Sequence, residues 1–308
     1  MVASPSGGPQ AHSAGLTVFG LGPSSRKSVP VGRSAFPALR LCFRPGMNWI
    51  TIVLPVRNEG PWLRGSLERL HAHLAELKGA YRTELIVVDD ASQDSTAAVV
   101  ETFRRQHPAT LRFLRLSRPQ GPAGTLRAAA KAARSETIIV IDGKLSYPPE
   151  TIERLAREAF RSGAACVVAS AYAPGGHVSR MPLFPRVGDA LANALLSRCV
   201  RRRVATLTGS IRTYEAKVLR ELLERGPQGD FNAWAIGELL AAGHVVREIP
   251  AQMSWPRAVR PARATMRDLW RELRSVLKAA AHLRTLPPSS FVSPVGATTA
   301  TAGTYGPI

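Results

Sequence analysis

Short apolar runs alternate with longer amphipathic segments between residues 50 and 170. Buried parallel strands read as continuous apolar runs, and the runs LIVV, TIIVI and CVV are of this kind. The pattern predicts strands at 50–54, 84–88, 111–116, 137–141 and 165–170. Helical periodicity predicts helices at 62–77, 95–106, 123–133 and 149–161; in the first, apolar residues form one face (Leu63, Leu67, Leu70, Leu74 and Leu77). This alternation predicts an α/β fold with a mostly parallel central sheet flanked by helices.

The pattern changes after the Pro-Gly-Gly at 174–176. Helices are predicted at 181–200, 218–224, 233–242 and 266–283, and a strand at 245–249. The first 46 residues contain no Asp or Glu and are rich in Gly, Ser, Pro and Ala. We therefore expect a disordered or mis-assigned extension at 1–46, with Met47 as the natural start, a main domain at 47–256, a basic amphipathic helix at 257–284 and a disordered tail at 285–308.

Polar residues that suit a nucleotide ligand follow three of the predicted strands. Asn58 and Glu59 follow the first strand, Asp89 and Asp90 close the second, and Asp142 closes the fourth. Ligands of open α/β sheets bind in the crevice at the carboxyl ends of the strands. A carboxylate such as that of Asp90 can accept from a base N–H, and Asp142 is placed for the ribose, the diphosphate or a divalent cation. The alternative is that each aspartate caps a helix or turn.

A glycine-containing turn leads into the predicted helix 123–133. Gly121 and Gly124 stand at this turn, and the N-terminus of a helix can hold a phosphate group. Gly124 is therefore a further candidate for the diphosphate of a nucleotide.

The overall charge favours anionic partners. The chain has 41 Lys and Arg against 22 Asp and Glu, a formal net charge of +19. Nucleic acid, anionic lipid and phosphorylated substrates all fit such a balance, and so does a generally arginine-rich surface. We do not expect nucleic acid to be the partner, because no helix-turn-helix, zinc or aromatic-interleaved basic pattern is present. Three widely spaced cysteines indicate a reducing compartment such as the cytoplasm.

A basic stripe runs along the C-terminal part of the chain. Arginines and lysine recur there at spacings of three and four, with leucines and a tryptophan on another face (Arg260, Arg263, Arg267, Arg271, Arg274, Lys278; Leu269, Trp270, Leu273, Val276, Leu277, Leu283). A basic amphipathic helix containing Trp can lie on an anionic membrane surface. The helix at 181–200, followed by three arginines, is a second candidate for such contact. Packing of both apolar faces on the main domain explains the pattern equally well.

Ordered motifs along residues 49–285 give the chain a family resemblance. The motifs are LPVRNEG, VVDDASQDST, RPQGPAGTLRAA, IDGKLSYPPE, SAYAPGG, LTGSIRTYEAKVL and REIPAQM. With these motifs the chain resembles an inverting family 2 glycosyltransferase with the GT-A fold, in the branch of the dolichol- or polyprenyl-phosphate mannose and glucose synthases. The resemblance implies that Pro55, Asn58, Glu59, Asp89, Asp90, Gly124 and Asp142 bind a nucleotide sugar. It also implies roles for Arg186, Asn193 and Arg212.

Three departures from the family pattern affect the expected chemistry. The family's D-x-D-L-x-H-P-P-E motif implies a site for Mg²⁺ or Mn²⁺ at Asp142, but its second aspartate is Lys144 here. Ala171 replaces the arginine of S-R-Y, and the closing R-x-x-G-x-S-K motif is not recognisable at 257–265. Lys144 therefore either neutralises the leaving diphosphate in place of the metal or marks a catalytically degenerate protein that binds a nucleotide sugar or a partner without turnover.

The resemblance implies transfer of a sugar from a nucleoside-diphosphate sugar to a polyprenyl phosphate or another membrane-associated acceptor, by a protein peripheral to the cytoplasmic face of the membrane. Asp142, Lys144, Arg186 and Arg212 would be the catalytic residues. A lipid phosphate is already anionic and needs orientation by arginines rather than a base. A hydroxyl acceptor would need a base, and Glu238 is the candidate for it; the alternative is that Glu238 is an ordinary solvated residue of the helix at 233–242.

Overall fold

The computed structural model describes residues 48–108, 111–200, 204–226, 230–255 and 266–286. The predictions for 1–46 and for most of the tail at 285–308 therefore lie outside the described residues, as do Arg260 and Arg263 of the basic stripe. The domain boundaries that the sequence predicts remain predictions.

Strands and helices alternate through the first two thirds of the described chain, as predicted. In chain order they are β1 (Asn48–Val56), α1 (Gly60–Glu76), β2 (Tyr81–Asp89), α2 (Thr96–Gln106), β3 (Leu111–Arg115), α3 (Gly121–Ala132), β4 (Thr137–Val140), α4 (Glu150–Ser162) and β5 (Cys166–Ser170). They are followed by β6 (His177–Ser179), α5 (Leu183–Cys199), β7 (Arg212–Glu215), α6 (Ala216–Glu224), α7 (Phe231–Ala241), β8 (Val246–Pro250), β9 (Gln252–Ser254) and α8 (Met266–Thr285). The predicted α/β class is confirmed.

The central sheet has seven strands in the order β3-β2-β1-β4-β7-β5-β8. All neighbours are parallel except β7, which runs antiparallel to both β4 and β5. The sequence analysis did not predict β7, nor the two short strands β6 and β9, which pair with each other in a separate parallel ribbon. The chain order of the strands reverses at β1, with β2 and β3 on one side and β4 on the other.

Each face of the sheet has its own hydrophobic core. Side chains alternate across β1, so Ile50, Ile52 and Leu54 pack under α1, α2 and α4, whereas Val53 faces the opposite core with α3, α6, α7 and α8. Ile50, Ile52, Val53 and Leu54 are all fully buried. Burial on both faces explains why β1 reads as an uninterrupted apolar run, and it fixes the position of the loops that follow the strands.

Candidate functional site

The reversal of strand order places a crevice at the carboxyl ends of β1 and β4. Strands β1 and β4 are parallel neighbours. From β1 the chain continues to β2 on one side of the sheet, and from β4 it continues to β5 on the other side. Open α/β sheets bind ligands at the place where the strand order divides in this way. The loop after β1 carries Asn58 and Glu59, and the segment after β4 carries Asp142 and Lys144. The fold therefore brings together the two groups of polar residues that the sequence analysis singled out.

The loop after β1 is cross-linked to the loop after β2. Four bonds join them: Asn58 N–H to Ser92 Oγ at 3.0 Å, Gln93 N–H to Asn58 Oδ1 at 2.9 Å, Glu59 N–H to Thr96 Oγ1 at 2.7 Å, and Gly60 N–H to Asp94 Oδ2 at 3.1 Å. Asn58 has a φ of 53°, a left-handed conformation that asparagine tolerates better than most residues. Asn58 thus shapes the loop, while Pro55 lies in β1 opposite Val88.

Asp90 connects the end of β2 to the start of α3. Its Oδ1 accepts from the Gln120 N–H at 2.6 Å and its Oδ2 from the Gly121 N–H at 3.0 Å. The Arg57 guanidinium lies 3.9 Å from Oδ2. Asp90 therefore caps the positive end of a helix dipole, which is the structural alternative that the sequence left open. A carboxylate offers about four acceptor positions, so contact of Asp90 with a nucleotide base remains a prediction.

Asp89 and Gly124 both have packing roles. Asp89 is fully buried; its Oδ1 accepts from the Ser92 N–H at 2.9 Å, and its Oδ2 lies 3.3 Å from Arg115 Nε. Gly124 lies in the first turn of α3, where a Cβ atom would collide with the Gln120 side chain. Close approach of Gln120 thus requires glycine here. Nucleotide contact by either residue remains a prediction.

Glu59 packs directly over Gly143 at the crevice. A Cβ atom on Gly143 would overlap the Glu59 carboxylate. Glu59 Oε2 is buried and has no hydrogen-bond partner within the described part of the chain. Burial raises the pKa of Glu59 from 4.5 to about 7; the positive charge of Lys144 opposes this rise, and the negative charge of Asp142 adds to it. A carboxyl group that can exchange a proton near neutral pH therefore lies beside Asp142 and Lys144.

Asp142 organises the tight turn that presents Lys144. Its Oδ1 accepts from the Ser146 N–H at 2.9 Å, and its carbonyl accepts from the Leu145 N–H at 3.1 Å. Leu145 has a φ of 50°, unusual for a bulky residue. Burial raises the pKa of Asp142, while the bond from Ser146 and the charge of Lys144 lower it.

Two tryptophans flank the Lys144 ammonium. Lys144 Nζ lies 5.9 Å from the centroid of the Trp62 ring and 6.0 Å from that of Trp255. Both distances are at the outer limit of cation–π attraction. The apolar rings limit the positions open to the lysine side chain. The sequence analysis missed both tryptophans, because one begins α1 and the other follows β9, more than a hundred residues from each other.

The side chains around Asp142 are poorly suited to a divalent cation. Nowhere in the described residues do three or more His, Cys, Asp or Glu side chains gather in a way that could hold a metal ion. Asp142 and Glu59 are carboxylates at the crevice, with the charge of Asp94 also acting on Glu59, and Lys144 is near enough to lower the pKa of Asp142 and Glu59. An ammonium group beside two carboxylates fits a divalent cation poorly, because it occupies the region of negative potential that the cation needs.

Helix α5 borders the site through a polar network. The Tyr172 hydroxyl donates to Asp189 Oδ2 at 2.8 Å, and the Thr208 hydroxyl donates to Asp189 Oδ1 at 2.7 Å. Asn193 Oδ1 accepts from the Leu207 N–H at 2.7 Å and the Thr208 N–H at 3.1 Å. Burial raises the pKa of Tyr147, and the charges of both Asp142 and Asp189 add to this rise, so this tyrosine lies near both aspartates. Arg186 lies on the exposed side of α5.

Arg212 makes its described contacts inside the protein core. It is fully buried at the start of β7, and its guanidinium donates to the carbonyls of Asn232 at 3.0 Å, Leu207 at 3.2 Å, and Gly209. Together with Glu248, whose carboxylate accepts from the backbone N–H groups of Ala205 and Thr206 at 2.8 and 2.9 Å, it fixes the segment 204–211. These contacts give Arg212 a positioning role, and its contact with an acceptor remains a prediction.

Glu238, the candidate base for a hydroxyl acceptor, is engaged in ion pairs. Its two carboxylate oxygens pair with Arg225 at 3.1 Å and with His282 Nε2 at 2.7 Å. These contacts join α7 to α8. Because both oxygens are already paired with cationic or imidazole groups, the geometry supports a structural role for Glu238.

Comparison with known proteins identifies the family. The model of the family described as "Glycosyl transferase family 2" matches residues 51–223, more than half of the chain. The chain belongs to glycosyl transferase family 2. The matched residues begin in β1 and end in α6, so they contain the crevice, Asp142 and Lys144, and the polar network of α5.

Curated members of the family match over part of their length. A dolichol-phosphate mannosyltransferase of Pyrococcus furiosus is 27% identical over 138 residues, which are 45% of this chain and 37% of that protein. An undecaprenyl-phosphate 4-deoxy-4-formamido-L-arabinose transferase of Pseudomonas fluorescens is 34% identical over 113 residues, 37% of this chain and 33% of that protein. The chain thus matches about a third of the length of these relatives.

Solved structures show the same fold at low sequence identity. A mannosyltransferase from Pyrobaculum calidifontis, in complex with GDP-Man and Mn²⁺, has a TM-score of 0.55 at 20% identity and covers 82% of this chain and 71% of its own. A glucosyl-3-phosphoglycerate synthase from Mycobacterium tuberculosis, in complex with Mn²⁺, UDP and glucosyl-3-phosphoglycerate, has a TM-score of 0.55 at 20% identity, covering 78% and 81%. The GT-A fold expected from the sequence is confirmed.

Proposed function

We propose that this chain transfers a hexose from a nucleoside-diphosphate sugar to a polyprenyl phosphate or another membrane-associated acceptor, with inversion at the anomeric carbon. The observation that carries the proposal is the convergence of Asn58, Glu59, Asp142 and Lys144 at the crevice where the strand order reverses. The relatives named for transfer to dolichol phosphate and undecaprenyl phosphate support the acceptor class. The neighbours solved with GDP-Man or UDP support the donor class.

The reaction is a single displacement. An oxygen of the acceptor phosphate forms a bond to the anomeric carbon as the bond to the donor diphosphate breaks, and the nucleoside diphosphate leaves with the electron pair of that bond. The acceptor phosphate is anionic at neutral pH, so this step needs no general base. It needs charge compensation at the leaving group and orientation of the incoming phosphate.

Lys144 supplies the charge compensation in this proposal. Its ammonium lies beside Asp142 and between Trp62 and Trp255, and it can donate charge-assisted hydrogen bonds to the departing diphosphate. In related folds Mn²⁺ accompanies the nucleotide, whereas the donor set here fits a divalent cation poorly. The proposed reaction is therefore independent of Mg²⁺ and Mn²⁺.

Arg186 is proposed to orient the acceptor. It is exposed on α5, three residues before Asp189, and its positive charge partly opposes the burial that raises the pKa of Tyr172. Tyr172 in turn bonds Asp189 in the network that borders the crevice. An exposed guanidinium next to the site suits the phosphate of a lipid acceptor. The proposal also places the protein on the cytoplasmic face of an anionic membrane. Within the described residues, no helix is both long and apolar enough to cross a bilayer.

Calorimetric titration with UDP- and GDP-sugars, in Mn²⁺ and in EDTA, tests the donor site. We expect saturable binding in EDTA, weakened at least tenfold by Lys144→Met and unchanged by the control Lys131→Met, because Lys131 is exposed on α3. Binding only in Mn²⁺ would contradict the role of Lys144, and absence of binding in both conditions would contradict the donor site. Transfer of labelled sugar to a short-chain polyprenyl phosphate in EDTA then separates an enzyme from a protein that binds without turnover.

A further inference from the structure

The exposed large hydrophobic side chains are concentrated on two helices. Within the described residues, all six of them lie on α5 or α8 (Leu183, Val187, Leu191, Trp270, Leu273 and Leu277), and they are between 47% and 76% exposed. The two helices pack against each other. Single exposed hydrophobic residues scattered over a surface need no explanation, but a contiguous patch indicates an interaction site.

The apolar strip of α8 is separate from the face that the helix buries. At about 100° per residue, Ala279, Ala280 and Leu283 point to one side, and all three are buried. Leu283 fills the space over Gly237 of α7, where a Cβ atom would collide with it. Trp270, Leu273 and Leu277 point to an adjacent side and remain exposed, so the contact of α8 with the domain leaves each of them at least 47% exposed.

Basic side chains flank this strip on the side away from the core. Arg271, Arg274 and Lys278 share one side of α8, next to the strip formed by Trp270, Leu273 and Leu277, and all three are exposed. An apolar strip bordered by cations is complementary to a bilayer surface, where acyl chains lie beneath anionic headgroups. A tryptophan at the boundary between the two is typical of membrane interfaces.

Helix α5 links this surface to the crevice. Its inner side carries the buried residues Asn193, Leu196 and Val200, together with Asp189 of the polar network. Its outer side carries Leu183, Val187 and Leu191 at helical spacing of four. By the same 100° per residue, Arg186 lies between the two sides. A membrane contacting the outer side of α5 would thus lie next to the site network.

We propose that these six residues form a membrane-docking face that seats the protein on an anionic bilayer, with the basic side of α8 on the headgroups. The inference rests on the proposed function, because a lipid-phosphate acceptor is delivered from such a surface. The occupant is a lipid surface rather than a protein because the apolar strip is bordered by Arg271, Arg274 and Lys278, and because the chain carries a net charge of +19. Docking in this orientation would bring the phosphate of an embedded acceptor to the level of Arg186.

Co-sedimentation of the full chain with vesicles tests the face. The vesicles contain either phosphatidylcholine alone or phosphatidylcholine with 30 mol% phosphatidylglycerol, a composition on the order of a moderately anionic membrane. The triple variant Leu191→Ser, Trp270→Ser, Leu277→Ser should bind the anionic vesicles at least roughly tenfold more weakly, because each buried large side chain alone contributes about tenfold. Its donor binding, followed by calorimetry, should not change.

A variant with fewer basic residues distinguishes docking on anionic lipid from non-specific hydrophobic adsorption. Arg274→Gln with Lys278→Gln should weaken binding to anionic vesicles by about 25-fold, at about fivefold per basic residue, with little effect on phosphatidylcholine vesicles. The matched control is Arg69→Gln with Lys78→Gln, because both residues are exposed in the α1 region and away from the face; it should bind like the unaltered chain.

The outcomes distinguish the surface from the enzyme. Unchanged vesicle binding by the triple variant would overturn the docking face even if donor binding and transfer are demonstrated. Vesicle binding that is lost in the triple variant, with donor binding absent from every form, would support the face and contradict the proposed function. Concentration-dependent dimerisation that the triple variant abolishes, without vesicle binding by the unaltered chain, would show that a second copy covers the face and would overturn the proposal.

Discussion

Replacing Glu59 by glutamine should change how the stability of the fold depends on pH. In the folded chain the pKa of Glu59 is raised from 4.5 to about 7, chiefly because its carboxyl group is buried over Gly143. The folded state therefore binds a proton more tightly than the unfolded state does. Between pH 4.5 and 7 the free energy of unfolding must fall as pH rises, and above pH 7 this contribution is constant.

The size of the effect follows from the two pKa values. One pKa unit corresponds to about 1.4 kcal/mol, so the change from 4.5 to about 7 limits the whole effect to about 3 kcal/mol. Because the unfolded glutamate is already largely ionised at pH 5, roughly 2 to 3 kcal/mol should be lost between pH 5 and pH 8. Glutamine cannot ionise, so Glu59→Gln should be more stable than the unaltered chain by about this amount at pH 8 and by under about 1 kcal/mol at pH 5.

Urea denaturation at pH 5 and pH 8, followed by circular dichroism, measures this difference. The quantity of interest is the change in free energy between the two pH values, compared between the unaltered chain and the variant, so that other titrating groups cancel. Glu224→Gln is the control, because this glutamate is exposed at the end of α6. If Glu59→Gln and the unaltered chain lose stability in parallel as pH rises, the carboxyl group is not held in an unfavourable buried environment.

Two further variants test the contacts around the site. Arg212→Met should lower the free energy of unfolding by about 3 to 5 kcal/mol, because it leaves the carbonyls of Leu207 and Asn232 without a donor in the core. Urea denaturation measures this loss, with the exposed Arg64→Met as the control. A loss below about 1 kcal/mol would contradict the role of Arg212. Gly143→Ala should displace the Glu59 carboxyl group, and so reduce the difference in stability between pH 5 and pH 8 to that of Glu59→Gln. An unchanged difference would show that the new alanine side chain and the Glu59 carboxyl group do not compete for space.

The strands that carry the crevice could be predicted because each is buried on both faces. Burial of Ile52 and Val53 on opposite sides of β1 leaves no polar position to interrupt the apolar run. The position of the crevice then followed from the polar residues at the strand ends, without knowledge of which strands were neighbours.

Strand β7 could not be predicted in the same way. Its residues Arg212, Thr213, Tyr214 and Glu215 contain no aliphatic side chain, yet the first three are buried. They are stabilised there by contacts that are distant in sequence: Thr213 Oγ1 accepts from the Val167 N–H, and Arg212 donates to Asn232. A local pattern carries no information about such partners.

The surroundings of Lys144 could not be predicted from the local sequence either, and they offer a reason why the motif tolerates a lysine. An aspartate at 144 would add a third carboxylate to Asp142 and Glu59, and the repulsion would have to be balanced by a cation or by protonation. Lys144 instead places a positive charge near both carboxylates and lowers the pKa of each, while burial raises the pKa of Glu59 to about 7, so that Glu59 can be protonated near neutral pH. A diphosphate arriving beside this cluster adds negative charge and favours protonation of Glu59 further. In the proposed reaction, protonation of Glu59 removes one negative charge beside Lys144, and the ammonium can then compensate the charge of the leaving diphosphate.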